Sequence, residues 1–244
     1  MKAVTFTLSG RTAFFKKPDV NSYAYFTYNN IHKVALLGLL GAVIGLKGYN
    51  QQNNDSYPEF YKKLHNLKIS IVPLAPKGYF SKKIQIFNNT TGFYNKDSKN
   101  LPCSLNIREQ WLHNVSWQIF ILEDTGADSL FPKLKEYLLD GKCEYIPYLG
   151  KNDHPATINN VAVVDMVKPG DIKYIDSLFR NGDADISDKS YSDCYEFREN
   201  LPIGLDKINN HYIMDEFIFT NRGIENFRNE ALFYKGSGYN LCFF

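Results

Sequence analysis

The sequence predicts an α+β domain of βαββαβ order with an inserted hairpin, followed by a smaller β-rich part. Three observations predict it. Ala3–Ser9 alternates Val4, Phe6 and Leu8 with Thr5 and Thr7, the two-residue period of a half-buried strand. Residues 31–45 are almost wholly apolar, and residues 130–139 (LFPKLKEYLL) are amphipathic at helical spacing. Strand-like segments lie on both sides of these two helices.

Taken in order, Gly10 ends the first strand and a loop follows, RTAFFKKPDVNSYAYFTYNN. A loop of this length is uncommon in a compact domain and marks a functional candidate. Asn30 is placed to cap a helix from Ile31 to about Gly45. Gly38, Gly41 and Gly45 fall on one face of that helix. Each costs roughly 1 kcal/mol against alanine, so the expected return is close approach to a sheet or a ligand backbone. GLLGAVIG matches neither GxGxxG nor GxxxxGK[ST], which excludes a nucleotide-fold reading. Ser56 with Glu59 resembles a capping box for a short helix to about His65. Lys68–Leu74 alternates as a strand.

Residues 75–106 are the least regular stretch. Ile84 and Ile86 alternate, and the polar NNTTGFYNKDSKN reads as the tip of a protruding hairpin. Leu105–Leu112 and Ser116–Leu122 predict a second hairpin turning at His113 and Asn114. Asp128 or Ser129 caps the second long helix, and Gly141 closes it. Further strands are expected at Glu144–Pro147, Asn160–Val167, Tyr195–Arg198 and Asp215–Thr220, with a final extended stretch from Ala231 to Phe244. The order fits a ferredoxin-like, RRM-like fold, whose open sheet face commonly binds RNA, if one hairpin is an insertion. Periodicity does not say which hairpin that is. A boundary near residue 165 divides a domain of residues 1–165 from a part of residues 166–244.

The 244 residues are 44% hydrophobic and 22% charged, which excludes a disordered chain. No apolar run is long enough to span a bilayer, and the first residues lack the pattern of a secretory signal, so a cytoplasmic protein is expected. Cys103, Cys143, Cys194 and Cys242 form no CxxC or Cys/His ladder, and no zinc site or disulfide framework is readable. The net charge of +2 conceals a split. Residues 1–117 hold 15 Lys/Arg against 5 Asp/Glu, and the remainder 13 against 21. The basic part also holds 18 aromatic residues, among them Tyr23, Tyr25, Tyr28, Phe80, Phe93, Tyr94 and Trp111. Cations that track phosphates and rings that stack on unpaired bases suit single-stranded nucleic acid. An ordinary aromatic core beneath a solvated lysine surface is the competing reading.

FTLSGRTAFFKKP, IHKVALLGLLGAVIGL and IPYLGKNDHPATI resemble the CRISPR-associated protein five family of the repeat-associated mysterious protein (RAMP) superfamily. REQWLHNVSWQIFI is most similar to its type I-B branch. The resemblance extends over nearly the whole chain and is firmest over residues 1–50 and 105–160. It implies a RAMP-type ferredoxin-like domain with a thumb hairpin at residues 75–106 and a smaller, β-rich C-terminal part. It implies a subunit of a Cascade complex that holds the 5′ handle of the CRISPR RNA. Such a subunit caps the filament of backbone repeat subunits, beside the large subunit that recognises target DNA, and meets that DNA only indirectly. It implies no cofactor. One branch of the family, type I-C, cleaves precursor RNA, whereas type I-B systems generally use a separate endonuclease.

Candidate RNA-binding residues follow. Arg11, Lys16 and Lys17 are placed to grip phosphates, and Phe14 or Phe15 to stack a base. His32 and Lys33 lie in the first helical turn, where the helix N-terminus favours anions. His32 is also the one candidate base for a metal-independent RNA cleavage, with no second acid or base readable near it. Lys82 and Lys83 precede the hairpin strand, and Lys96 and Lys99 lie near its tip. Arg108 and Trp111 are three apart on a strand and face opposite sides, with Trp111 the better core candidate. Gly150, Lys151 and Asn152 make a basic turn suited to phosphate, and His154 reads as structural. Asp183, Asp185, Asp188 and Asp193 read as a solvated acidic loop lacking EF-hand spacing. The expected function is a non-catalytic subunit binding the handle of CRISPR RNA, its acidic second half turned toward protein neighbours. The alternatives are an endoribonuclease using His32 and a structural cap with little RNA contact.

Overall fold

The computed structural model describes residues 1–19, 23–89, 105–124, 126, 129–170, 172–189 and 191–244. Its main sheet holds β1 (Lys2–Ala13), β2 (Ile69–Pro73), β3 (Lys82–Asn89), β4 (Leu105–Leu122) and β5 (Thr157–Asp165). The helices are α1 (Lys33–Ile44), α2 (Glu59–Leu64) and α3 (Phe131–Leu139). The sheet runs β2-β4-β1-β5 with all pairs antiparallel, and β3 pairs with the outer half of β4. Strands β1, β2, β4 and β5 with α1 and α3 thus make the ferredoxin-like βαββαβ core. Strand β3 is the insertion.

Residues 113 and 114 do not turn the chain, contrary to the expectation of a second hairpin. β4 is one strand of 18 residues. Asn114 takes a left-handed φ of 49°, yet pairing with β1 continues on both sides, Gly10 opposite Val115 and Ala13 opposite Leu112. The outer half of β4 therefore carries β3 away from the core as one ribbon, Lys82 opposite Leu112 through Asn89 opposite Leu105. The expected hairpin tip, with Phe93, Tyr94, Lys96 and Lys99, lies outside the described residues, as does Asp128.

The helical face of the sheet is set by alternation. Val4, Phe6 and Leu8 with Val115, Trp117, Ile119 and Ile121 pack against α1, α2 and α3. Each such side chain contributes about 1.5–3 kcal/mol on full burial. α1 carries no charge after Lys33 and is apolar around its whole circumference, the pattern of a buried helix. Gly41 lets α2 approach closely, since a Cβ there would stand 2.6 Å from the Phe60 Cβ.

Three local expectations are corrected. His32, not Asn30, caps α1: its Nδ1 accepts from the Ala35 N–H. The Asn30 side chain points inward and accepts from Trp117 Nε1 at 3.0 Å. No Ser56 capping box forms; Pro58 precedes α2, and the Glu59 carboxylate accepts from the Lys47 N–H instead. Residues 144–147 are not a strand: Glu144 N and Tyr145 N donate to the end of α1 at Val43 O and Ala42 O, while Pro147 O accepts from Ala156 N, so the segment pairs with no single neighbouring strand. Ser129 does support α3, its Oγ accepting from the Phe131 N–H.

The other face of the sheet is closed at one end. Ala3, Val72, Phe120 and Leu122 lie under Tyr234 and Leu241 of the hairpin β11 (Phe233–Gly236) and β12 (Tyr239–Cys242), and under Phe243 just beyond it. The remaining C-terminal strands form two small sheets. One is β6 (Phe179–Arg180), β9 (Tyr212–Thr220) and β8 (Glu196–Leu205); the other is β7 (Ala184–Ile186) with β10 (Ile224–Phe227). Among the described residues no helix is long and apolar enough to cross a membrane.

Candidate nucleic-acid interface

The loop after β1 folds back on itself, and this decides what its residues can do. Phe15 N donates to Thr27 Oγ1, Tyr28 N to Phe15 O, and Lys17 N to Phe26 O. The returning segment then joins the outer half of β4 through Tyr25, whose N–H reaches Arg108 O. This ladder turns both phenylalanine rings inward. Phe14 and Phe15 are each 2% exposed. Phe15 stands edge-on to His32 and Trp117. Neither presents a free ring face, so the expected base stacking on them is replaced by core packing. Tyr28 and Phe80 are likewise buried, whereas Tyr23 and Phe26 are exposed.

The predicted cations separate into free and committed. Arg11, Lys16, Lys83 and Arg108 are exposed and have no carboxylate partner among the described residues. Lys16 Nζ lies 4.0 Å from the centre of the Tyr25 ring, and the Arg108 guanidinium 4.8 Å from Tyr23. Arg11 and Lys83 flank His113, whose imidazole is held below its usual range by burial, then by Lys83 and Arg11. Lys17 instead lies 3.5 Å from Glu199, which also accepts from the Asn29 N–H. Glu199 belongs to β8, so the acidic second half does not simply turn away from the basic loop: one of its carboxylates is built into it. Burial raises the Glu199 carboxyl against these partners. Lys82 is half-buried over the Tyr79 ring, and its ammonium is lowered chiefly by burial, with Glu199 opposing.

Two further site expectations change. Lys151 is an ion-pair residue: its Nζ stands 3.0 and 3.1 Å from the two oxygens of Glu109. That carboxylate is nearly inaccessible and also accepts from Trp111 Nε1 at 2.8 Å. Gly150 has a φ of 92° and a Cβ there would fall 1.9 Å from the Phe14 carbonyl oxygen, so packing explains the glycine. Asn152 stays exposed in the turn. Sequence spacing gave no sign of Glu109 and Lys151 meeting, because they lie 42 residues apart. His154 is structural as expected, fully buried, its Nδ1 2.7 Å from Thr12 Oγ1 and its ring 4.6 Å from that of Trp111.

His32 is wholly buried, and burial pulls its imidazole down to about 3. With Nδ1 accepting from Ala35 and the ring held edge-on by Phe15, Tyr28 and Tyr212, it caps and packs. A base so weakened and enclosed does not fit proton abstraction from a ribose hydroxyl. Lys33 beside it is pushed down to about 8, first by burial and then by Arg180. A histidine kept neutral in the fold takes up its proton only on unfolding. Its contribution is therefore complete above pH 6.5 and is lost at up to about 1.4 kcal/mol per pH unit as the pH falls from 6.5 toward 3. His154 acts in the same sense, and Glu199 opposes it at the acidic side. His32→Asn retains a capping acceptor but no titration. Thermal melts across this range are expected to fall less steeply with acid in the variant; equal slopes would contradict the assignment.

A groove of about 1000 Å³ lies beside these residues, between α1, the segment 48–51 and the segment 145–151. Lys16, Tyr25, Glu109 and Lys151 stand along one side. Among the described residues no three His, Cys, Asp or Glu side chains are grouped to hold a metal. In the acidic run, Asp183 pairs with Arg180 and Asp185 with Arg228.

No family model matches the chain, and no curated protein matches it. Among solved structures, it is similar to a chain of a CRISPR RNA-guided surveillance complex, with TM-score 0.56 and 10% identity over 91% of this chain and 90% of that one. A CRISPR protein from Archaeoglobus fulgidus gives TM-score 0.49 and 9% identity over 99% and 98%. A chain of a type III-B Cmr-beta complex bound to cognate target RNA and AMPPnP gives 0.43 and 11% over 92% and 86%. The chain thus shares its α+β, ferredoxin-like fold over nearly its whole length with a chain of a CRISPR RNA-guided surveillance complex.

Proposed function

We propose that this chain is a non-catalytic subunit of a CRISPR effector complex that holds single-stranded CRISPR RNA at its 5′ handle. In this reading it caps a filament of backbone repeat subunits beside the large subunit. The observation that carries the reading is the set of four uncommitted cations, Arg11, Lys16, Lys83 and Arg108. They stand where the end of β1, its returning loop and the inserted β3–β4 ribbon meet. A fold shared with a surveillance-complex chain supports it. Exposed Tyr23 and the half-exposed Tyr25 lie under two of the cations, so a base stacked there is worth roughly 1–3 kcal/mol.

Phosphate gripping fixes the test. Expressed with its genomic neighbours, the chain is expected to carry a uniform short RNA of constant 5′ end. Binding of that RNA by the purified chain is expected to weaken linearly in log affinity against log salt. Each of the four cations replaced by alanine is expected to lower the slope by about 0.7, the single-strand value for one phosphate contact. A flat salt response in the unaltered chain would overturn the reading. Cleavage of repeat RNA by the purified chain in EDTA would overturn its non-catalytic part. Undiminished handle protection after charge reversal at all four positions would favour a purely structural cap.

A further inference from the structure

The groove beside α1 has a different chemistry from the cationic junction. Its floor is Ala35, Gly38, Leu39 and Ala42, spaced along one face of the helix, with Leu46 just past its C-cap. Small side chains at 35, 38 and 42 leave that face open and let another backbone come close. The rim is apolar and exposed: Ile146 is 78% exposed, Tyr145 56%, and Tyr49 and Tyr148 nearly half. Adjacent large apolar residues on this scale mark an interaction surface rather than scattered surface apolarity.

Charge decides what kind of partner fits. Lys16, Lys151, Glu109 and His32 line the groove, together with tyrosine hydroxyls. Lys151 and Glu109 neutralise each other, and His32 is uncharged. Tyr49, like any tyrosine, is uncharged near neutral pH, and its half-buried hydroxyl is pushed further up, to about 12, chiefly by burial. Among the described residues, Lys16 is the one uncompensated charge of the lining. A nucleic-acid strand brings a phosphate with every nucleotide and needs a succession of cations, as at the Arg11–Lys83 junction. The groove offers none along its length. An uncharged, apolar polypeptide segment needs none, and an apolar helix face flanked by tyrosines matches it.

We infer that this groove docks an apolar segment of a partner protein, laid against the small-residue face of α1 and held by Tyr145, Ile146 and Tyr148. The inference stands apart from the RNA reading, because it uses none of the four free cations except Lys16 at its edge. To test it, the photoreactive residue p-benzoylphenylalanine replaces Ile146 in the full chain, expressed with its genomic neighbours and irradiated. The expected crosslink is to one protein neighbour, through a stretch of mainly apolar residues. A synthetic peptide of that stretch is expected to bind the purified chain. It is expected to weaken at least tenfold with Ala42→Leu, which fills the floor, and with Ile146→Asp, which charges an exposed rim position that no folding contact needs. The salt slope of RNA binding should be unchanged in both variants. A crosslink to RNA, no crosslink, or a peptide that binds both variants as well as the unaltered chain would overturn the inference.

Discussion

Trp117→Ala is expected to remove about 3–5 kcal/mol of stability and to lower the melting temperature by roughly 10 °C. Trp117 is fully buried at the centre of the sheet, opposite Leu8 on β1 and Pro73 on β2. Phe80 meets it edge-on at 4.9 Å and Phe15 at 6.0 Å. The side chain therefore joins the helical core to the loop that displays Lys16 and to the start of the β3 ribbon. Its Nε1 donates to Asn30 Oδ1, and Asn30 Nδ2 has no partner among the described residues. Trp117→Phe separates the two contributions. It keeps most of the buried area and leaves Asn30 unbonded, for a loss of about 1–3 kcal/mol. Chemical denaturation measures both. An alanine loss no larger than the phenylalanine loss would show that the hydrogen bond, not the packing, holds this junction together.

What the sequence disclosed follows from which forces are local. The periods of β1, α1 and α3 are local, and each element forms within a few residues of its expected bounds. The βαββαβ order was legible for the same reason. The protruding hairpin after residue 75 was legible too, but which of two hairpins is the insertion was not, because His113 and Asn114 are polar and turn-forming, and only pairing to β1 and β3 keeps β4 straight through them. Phe14 and Phe15 misled for a related reason. Rings among lysines look exposed until a segment ten residues on bonds back and turns them inward. In the site, Arg11, Lys16, Lys83 and Arg108 could be named from charge alone. Whether a cation is free or spent on a buried acid is a long-range fact, and only the fold brings Glu109 to Lys151 and Glu199 to Lys17. The tyrosine-rimmed groove was illegible because its walls come from segments a hundred residues apart.

Gly150→Val is expected to cost on the order of 4 kcal/mol, combining the strain of a left-handed β-branched residue with overpacking against backbone. The clash cannot relax cheaply. The Phe14 oxygen that would stand 1.9 Å from the new Cβ belongs to a strand end fixed by Phe14 N donating to Leu149 O at 3.0 Å. Leu149 N is tied in turn to His154 O at 2.8 Å. Moving the turn away would draw Lys151 from Glu109 and leave a buried carboxylate with Trp111 as its one side-chain donor among the described residues. Gly141→Val is the control. Its φ of 63° carries similar strain, but nothing stands within 4 Å of its Cβ, so the loss should stay near 1–2 kcal/mol. The difference between the two variants measures the close approach by itself. If Gly150 served instead to admit a phosphate, the two variants would melt alike, and RNA affinity alone would fall in Gly150→Val.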